Sequence, residues 1–308
     1  MKKILLILAA GAVCSVATAQ EAGGGTAAPQ PQSQKFFEFE AGLTGDYAFR
    51  SDVDGGGDVA SSRVMSSLWL AHSFSPDLRA TLLVTTEFSW YDFKNATGLI
   101  AGTGKPFSQL VETDITPGLS YKLNDTWTAL GGVYFRFAAE NGADTGDSFT
   151  VGGYAGARYR ASDDLSITMG VRISERIEED TLILPAFALD WNVSPTVRVQ
   201  VTPAVGGTGV KVTSTINEHW AFLIDGEYQT REFRLNDDAA LPEGVVRDSR
   251  VTVGLGVLWK PCDTVEITAR AGMVAWQEFR IDNSSGDQQS EVNTDPTPYV
   301  YLGGSIHF

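Results

Sequence analysis

The chain has 308 residues, 43% hydrophobic, 10% aromatic and 20% charged, so it is neither a disordered nor a low-complexity sequence. Its 38 acidic residues against 23 basic give a net charge of -15, which argues against nucleic acid as a partner held by phosphate neutralisation. Two cysteines and three histidines are too few for a disulfide framework or a four-thiolate zinc site, and they leave little for metal chemistry.

The first element is a targeting segment. Lys2 and Lys3 precede an apolar stretch from Ile4 to Ala12, and Ala17-Thr18-Ala19 offers small residues for cleavage before Gln20. Residues 1–19 therefore read as a secretory signal peptide, too short to span a bilayer. Cys14 falls inside it, leaving Cys262 as the lone thiol beyond the cleavage point. Residues 20–35, rich in Gly, Ala, Pro and Gln, read as a flexible lead-in. No run of about 20 apolar residues follows, so membrane-spanning helices are not expected.

From Phe36 to Phe308 the pattern changes to period-two alternation in long segments. Short interruptions such as Ser75-Pro76-Asp77, Asn124-Asp125, Ser162-Asp163-Asp164, Ser194-Pro195 and Asn217-Glu218-His219 carry turn-forming residues. They take turns with longer polar stretches at 51–62, 94–107, 140–148, 235–247 and 283–295. Fourteen strands are predicted, at 36–50, 63–74, 78–93, 108–123, 126–139, 149–161, 165–177, 182–193, 196–204, 209–216, 220–234, 248–260, 264–282 and 296–308. The short pair between 196 and 216 is the weakest, so twelve strands is the alternative. The expected fold is all-β: one transmembrane antiparallel up-and-down β-barrel over residues 36–308, with loops at one end and turns at the other.

The two faces of these strands differ in charge. Phe37, Phe39, Ala41, Leu43 and Tyr47 share one parity, as do Leu165, Ile167, Met169, Val171 and Ile173, and no charge interrupts them. The opposite parity carries Glu38, Glu40, Arg79, Glu87, Glu112, Asp114, Arg136, Arg158, Arg172, Asp225, Glu227 and Arg270, the candidate pore-lining residues. Only 63–74 has ambiguous parity. A soluble sandwich would alternate too, but its strands run about 5–6 residues, whereas many here reach 12 or more. Aromatics of the apolar parity gather near the turn-side ends, as Trp127, Tyr159, Trp191, Trp220 and Trp259 do, like an interfacial girdle.

The last strand, Val300-Tyr301-Leu302-Gly303-Gly304-Ser305-Ile306-His307-Phe308, resembles the C-terminal signal of bacterial outer-membrane β-barrel proteins. That resemblance implies an outer-membrane location, contact with outer-membrane lipids, and assembly by the barrel-assembly machinery through Phe308.

Catalysis has little to stand on. His72, His219 and His307 all fall at the turn-side end, and the pairs Glu112/Asp114 and Asp225/Glu227 read as a solvated lining rather than acid-base dyads. Asp52-Val53-Asp54-Gly55-Gly56-Gly57-Asp58 resembles a calcium loop but lacks its later Glu and reads as a turn. No enzyme activity, cofactor or metal is expected. Inward Gly, Ser and Thr leave space between the charges, so the expected function is a weakly selective passive channel for small polar solutes. The alternatives are a non-conducting structural or adhesive barrel and a transporter of hydrophobic substrates. Oligomeric state is not legible.

Overall fold

The computed structural model describes residues 37–144, 146–204 and 207–308. The signal peptide, the lead-in and Phe36 lie outside the described residues. Strands occupy β1 (Phe37–Asp52), β2 (Asp58–Ser73), β3 (Leu78–Lys94), β4 (Gln109–Lys122), β5 (Trp127–Glu140), β6 (Phe149–Arg160), β7 (Leu165–Ser174) and β8 (Leu182–Ser194). They continue as β9 (Val197–Ala204), β10 (Gly207–Thr215), β11 (Trp220–Arg234), β12 (Val245–Cys262), β13 (Val265–Asp282), β14 (Gln288–Thr294) and β15 (Thr297–His307).

Each strand up to β13 pairs antiparallel with the next, and β1 pairs with β15, which pairs with β13. The sheet therefore closes on itself. β14 and β15 lie end to end along β13 and share one position, so the barrel has fourteen staves. The break falls at Asp295-Pro296, where proline offers no N–H to the ladder. The doubtful pair β9 and β10 is present, which sets fourteen rather than twelve.

Several boundaries differ from the sequence expectation. The loop expected at 51–62 shrinks to residues 53–57, because β2 starts at Asp58. Gly55, Gly56 and Gly57 all take positive φ there, which lets a tight hairpin replace a long loop. The loop expected at 283–295 contributes β14, and β12 begins three residues earlier than 248.

The register fixes which side chains point inward. On β2, whose parity was ambiguous, Arg63, Met65 and Trp69 face the interior while Val64 is exposed outside. Trp69 is tolerated inside because the Arg79 guanidinium lies over its ring, 5.3 Å from the centroid. Outside, the expected apolar band is present: Leu43, Val133, Val171, Phe222, Leu255 and Leu302 are all exposed. A bulge between Ala48 and Ser51 turns Arg50 outward, where it pairs with Asp58 and Asp92.

Candidate functional site: a divided barrel interior

All twelve candidate pore-lining residues face the interior, but most are already paired. Glu38 accepts from Arg79 at 2.7 Å, and Arg136 reaches Asp114 at 2.9 Å and Glu112 at 3.3 Å. Arg270 pairs with Asp225 and stacks 3.6 Å from the Tyr301 ring centroid. Arg172 lies 5.2 Å over Tyr134. Among the described residues Glu40, Arg158 and Glu227 form no ion pair; Glu40 borders a recess with Ser67, Trp69 and Leu83 at the turn end.

Glu87 belongs to a larger group that crosses the barrel. It accepts from Arg231, which also donates to Ser89 at 3.0 Å, to the Tyr91 hydroxyl at 2.8 Å and to Asp248 at 2.7 Å. Asp248 further accepts from Arg63 at 2.6 Å, from Gln277 at 2.8 Å and from the Tyr91 hydroxyl. These partners come from β2, β3, β11, β12 and β13, so opposite walls meet and the axis is blocked. Arg63, Arg231 and Asp248 are about as buried as a protein core allows, at 2%, 1% and 1% exposure. Two arginines balance two carboxylates there, which offsets a desolvation cost of several kcal/mol per isolated charge.

Above this seal the interior is apolar. Tyr91, Phe93, Phe107 and Phe279 pack edge to face, with ring centroids 4.9–5.8 Å apart across most pairs. Ala96, Leu99 and Ile100, from the stretch expected to be a polar loop at 94–107, fold inward onto them. Arg63, Tyr91 and Asp248 are not among the twelve residues that strand parity singled out. Arg63 sits on the ambiguous strand, and Asp248 is the first residue of the predicted strand 248–260. Asp248 lies two residues before Arg250 on the charged parity of that strand, and this is the signal that places it inside.

A second departure from a round barrel explains the plug. At its upper end β11 leaves β10 above the Gln229–Gly207 pair and joins β5 in parallel at Arg234–Ala139. Nine staves, β1 to β5 and β11 to β14, thus form a narrower ring at the loop end, filled by the apolar cluster. The tops of β6, β7 and β8 stand outside that ring. Between their inner faces and the outer face of β11, β12 and β13 lies a side chamber of about 280 Å³. Arg136, Thr150, Arg172 and Ser174 line one wall, and Tyr228, Thr230, Ser249, Trp276 and Glu278 the other. The β7–β8 loop closes over it: Arg176 pairs with Glu232, and Glu179 with Arg247 and, at 3.0 Å, Arg280. Burial pushes the Glu179 carboxyl up, but the hydrogen bond and charge of Arg247, with Arg176 and Arg280, outweigh it and hold the group below its ordinary value.

The same strands carry a recess of about 450 Å³ at the turn end, lined by Lys122, Thr128, Arg158, Arg160, Asp190 and Asn192. Between recess and chamber the inward row is small: Gly132, Gly152, Gly156, Gly170, Ala186 and Ala188. Not all of that space is empty, contrary to the expectation from composition. The rings of Tyr134 and Tyr154 lie against Gly152 and Gly132, where a Cβ would collide with them.

Residues 105–303, more than half of the chain, match the family described as a domain of unknown function, DUF6268. The chain belongs to this family. The DUF6268 match takes in the chamber walls and the β5–β11 seam, while Arg63, Glu87 and Tyr91 lie before it. No curated protein matches the sequence. Among solved structures, the chain is similar to the COG4313 outer membrane channel from Pseudomonas putida F1, at 10% identity and a TM-score of 0.48, covering 94% of this chain and 100% of that one. It is similar to the toluene transporter TodX of P. putida at 10% identity and 0.44, over 89% and 90% of the chains. For the KdgM porin the values are 9% and 0.33, over 87% and 99%. The barrel architecture itself rests on the strand pairing of this chain.

Proposed function

We propose that this barrel lies in an outer membrane, delivered there by the signal peptide and assembled by the barrel-assembly machinery through Phe308, and that it passes small polar solutes off its axis. Phe308 closes the barrel at the turn end, donating its backbone N–H to the Phe39 carbonyl at 2.9 Å. The observation that carries the reading is that, among the described residues, interior space along β5 to β8 remains open beside the filled axis. The axis is filled by the Arg63–Arg231–Asp248 group and the aromatic plug, whereas the chamber and the turn-end recess stay open and are lined by charged and hydroxyl side chains. In this reading Glu38, Glu40, Arg79, Arg158, Asp225, Glu227 and Arg270 line the inner vestibule, and Arg172 lines the chamber. Glu87, Glu112, Asp114 and Arg136 hold the seal beside the path.

The test is swelling of liposomes containing the refolded protein in graded sugars, with single-channel recording alongside. We expect uptake of monosaccharides, little ion selectivity, and exclusion of larger oligosaccharides. Complete absence of both swelling and conductance steps would replace the channel with a structural barrel. Transport of an apolar cargo is a second reading, favoured by Ile177, Leu182, Tyr228 and Trp276 in the chamber lining.

A further inference from the structure

The outer surface of β11, β12 and β13 changes chemistry along its length. Near the turns it presents Phe222, Ile224, Val253, Leu255 and Met273, all exposed and apolar as a lipid-facing surface requires. Higher up the same face presents Tyr228, Thr230 and Glu232 on β11, Arg247 and Ser249 on β12 and, past a bulge that shifts the alternation by one residue, Trp276 and Glu278 on β13. These upper residues have turned away from the lipid side, because the β5–β11 seam draws their strands inward until their outer face becomes a wall of the side chamber. A lipid-facing band would not carry three charges in seven positions. A merely structural filling would leave no cavity, yet about 280 Å³ remains.

The chamber's groups are of a particular kind. Tyr228 and Trp276 supply two aromatic faces. Glu278 supplies a carboxylate that makes no ion pair or hydrogen bond among the described residues. Thr230 and Ser249 hydroxyls, 2.8 Å apart, can each still accept or donate to a third partner, and Thr150, Ser174 and the Arg172 guanidinium face them from the opposite wall. Trp276 is held in place by its indole N–H, which donates to Asn293 at 3.0 Å. Aromatic faces combined with a carboxylate, hydroxyls and a guanidinium match a ring whose faces carry C–H groups and whose rim carries hydroxyls. The volume of about 280 Å³ lies just below the roughly 300–1,000 Å³ of ligand pockets and holds one such ring.

We infer that the side chamber is a binding site for a polyhydroxylated, pyranose-sized solute, stacked on Trp276 and Tyr228 and hydrogen-bonded by Glu278, Ser249 and Thr230. This deepens the channel reading and rests on it for how the solute reaches the chamber. Binding, however, is measurable without transport.

The experiment is saturation-transfer NMR on the folded, detergent-solubilised barrel, with glucose and methyl glucoside as probes and benzoate as an apolar-ring control. Folding is checked by β-type circular dichroism and by heat-dependent gel mobility. We expect transfer to the sugar ring protons, weakened about tenfold in affinity, about 1.4 kcal/mol, by Glu278→Gln, which gives up a charged hydrogen-bond acceptor. Trp276→Phe should retain binding and Trp276→Leu should lose it, with Glu266→Gln at the turn end leaving it unchanged. Equal sugar binding by wild type, Glu278→Gln and Trp276→Leu overturns the assignment, as does an absence of sugar binding. Benzoate displacing the sugar as the tighter ligand also overturns it and favours an apolar cargo. Sugar binding without liposome swelling would sink the channel reading and leave this site standing.

Discussion

Asp248 shows how much one interior carboxylate holds together. It receives two guanidinium groups, a phenol and an amide from four other strands. Removing its charge leaves Arg63 and Arg231 buried with Glu87 as their remaining carboxylate. Asp248→Asn should therefore cost about 3–5 kcal/mol, the usual penalty for breaking a buried pair, read as a lower denaturant midpoint of the refolded barrel. It should also raise the frequency of conductance steps, because the walls it ties are those that block the axis. Glu179 acts at the rim rather than the seal. Its folded titration lies below that of an unfolded glutamate, so the stabilisation it gives is present above the ordinary carboxylate range and is lost as pH falls through the folded value. A fluorophore placed at Asp180→Cys, in a Cys262→Ser background, should become mobile on acidification, and Glu179→Gln should be mobile already at neutral pH.

At the scale of elements, the β3–β4 connection departs furthest from what its sequence suggested. Residues 94–107 looked like a polar surface loop, yet Leu99 and Phe107 are 1% and 3% exposed within the plug. The signal was present in Leu99-Ile100-Ala101, too short to register as an alternating strand. Phe107→Ala should cost about 3–5 kcal/mol, as large-to-small changes in a packed core do. Replacing residues 96–106 by a short Gly-Ser linker should open the axis and increase conductance severalfold. Unchanged conductance after that replacement would show that the Arg63–Arg231–Asp248 group alone seals the barrel. The alternating strands were legible because each has one face against an apolar and one against a polar medium, which forces period two. The break of the last stave at Pro296 was not, since β14 reads as part of a polar loop.

For the whole molecule, the exposed apolar exterior makes a firm demand. The purified protein should need detergent, show β-type circular dichroism and migrate differently on gels when unboiled; a monomer stable without detergent would contradict the membrane assignment. The loop end carries most of the uncompensated acids, so it should face outward. β14 narrows the stretch expected to be freely accessible to residues 283–287. A tag there should be labelled on intact cells, and labelling only after disruption of the outer membrane would invert the orientation.

The sequence alone determined the barrel and the face on which each of the twelve candidate residues sits, with the β9–β10 pairing deciding fourteen staves over twelve. Those follow from local alternation and turn chemistry, and a neighbour two residues away suffices to read them. It could not show that β11 runs on past the end of β10 and bridges to β5, because a strand carries no local mark of its partner when several edges are available. That one long-range pairing narrows the loop end, drives the β3–β4 connection into the axis, and turns the upper face of β11 to β13 from an exterior into a chamber wall. Whether Arg231 lined an open pore or closed it was decided by closure in three dimensions. Glu87, which period two had placed inside, meets Arg231 across the axis because the ring above them is narrow.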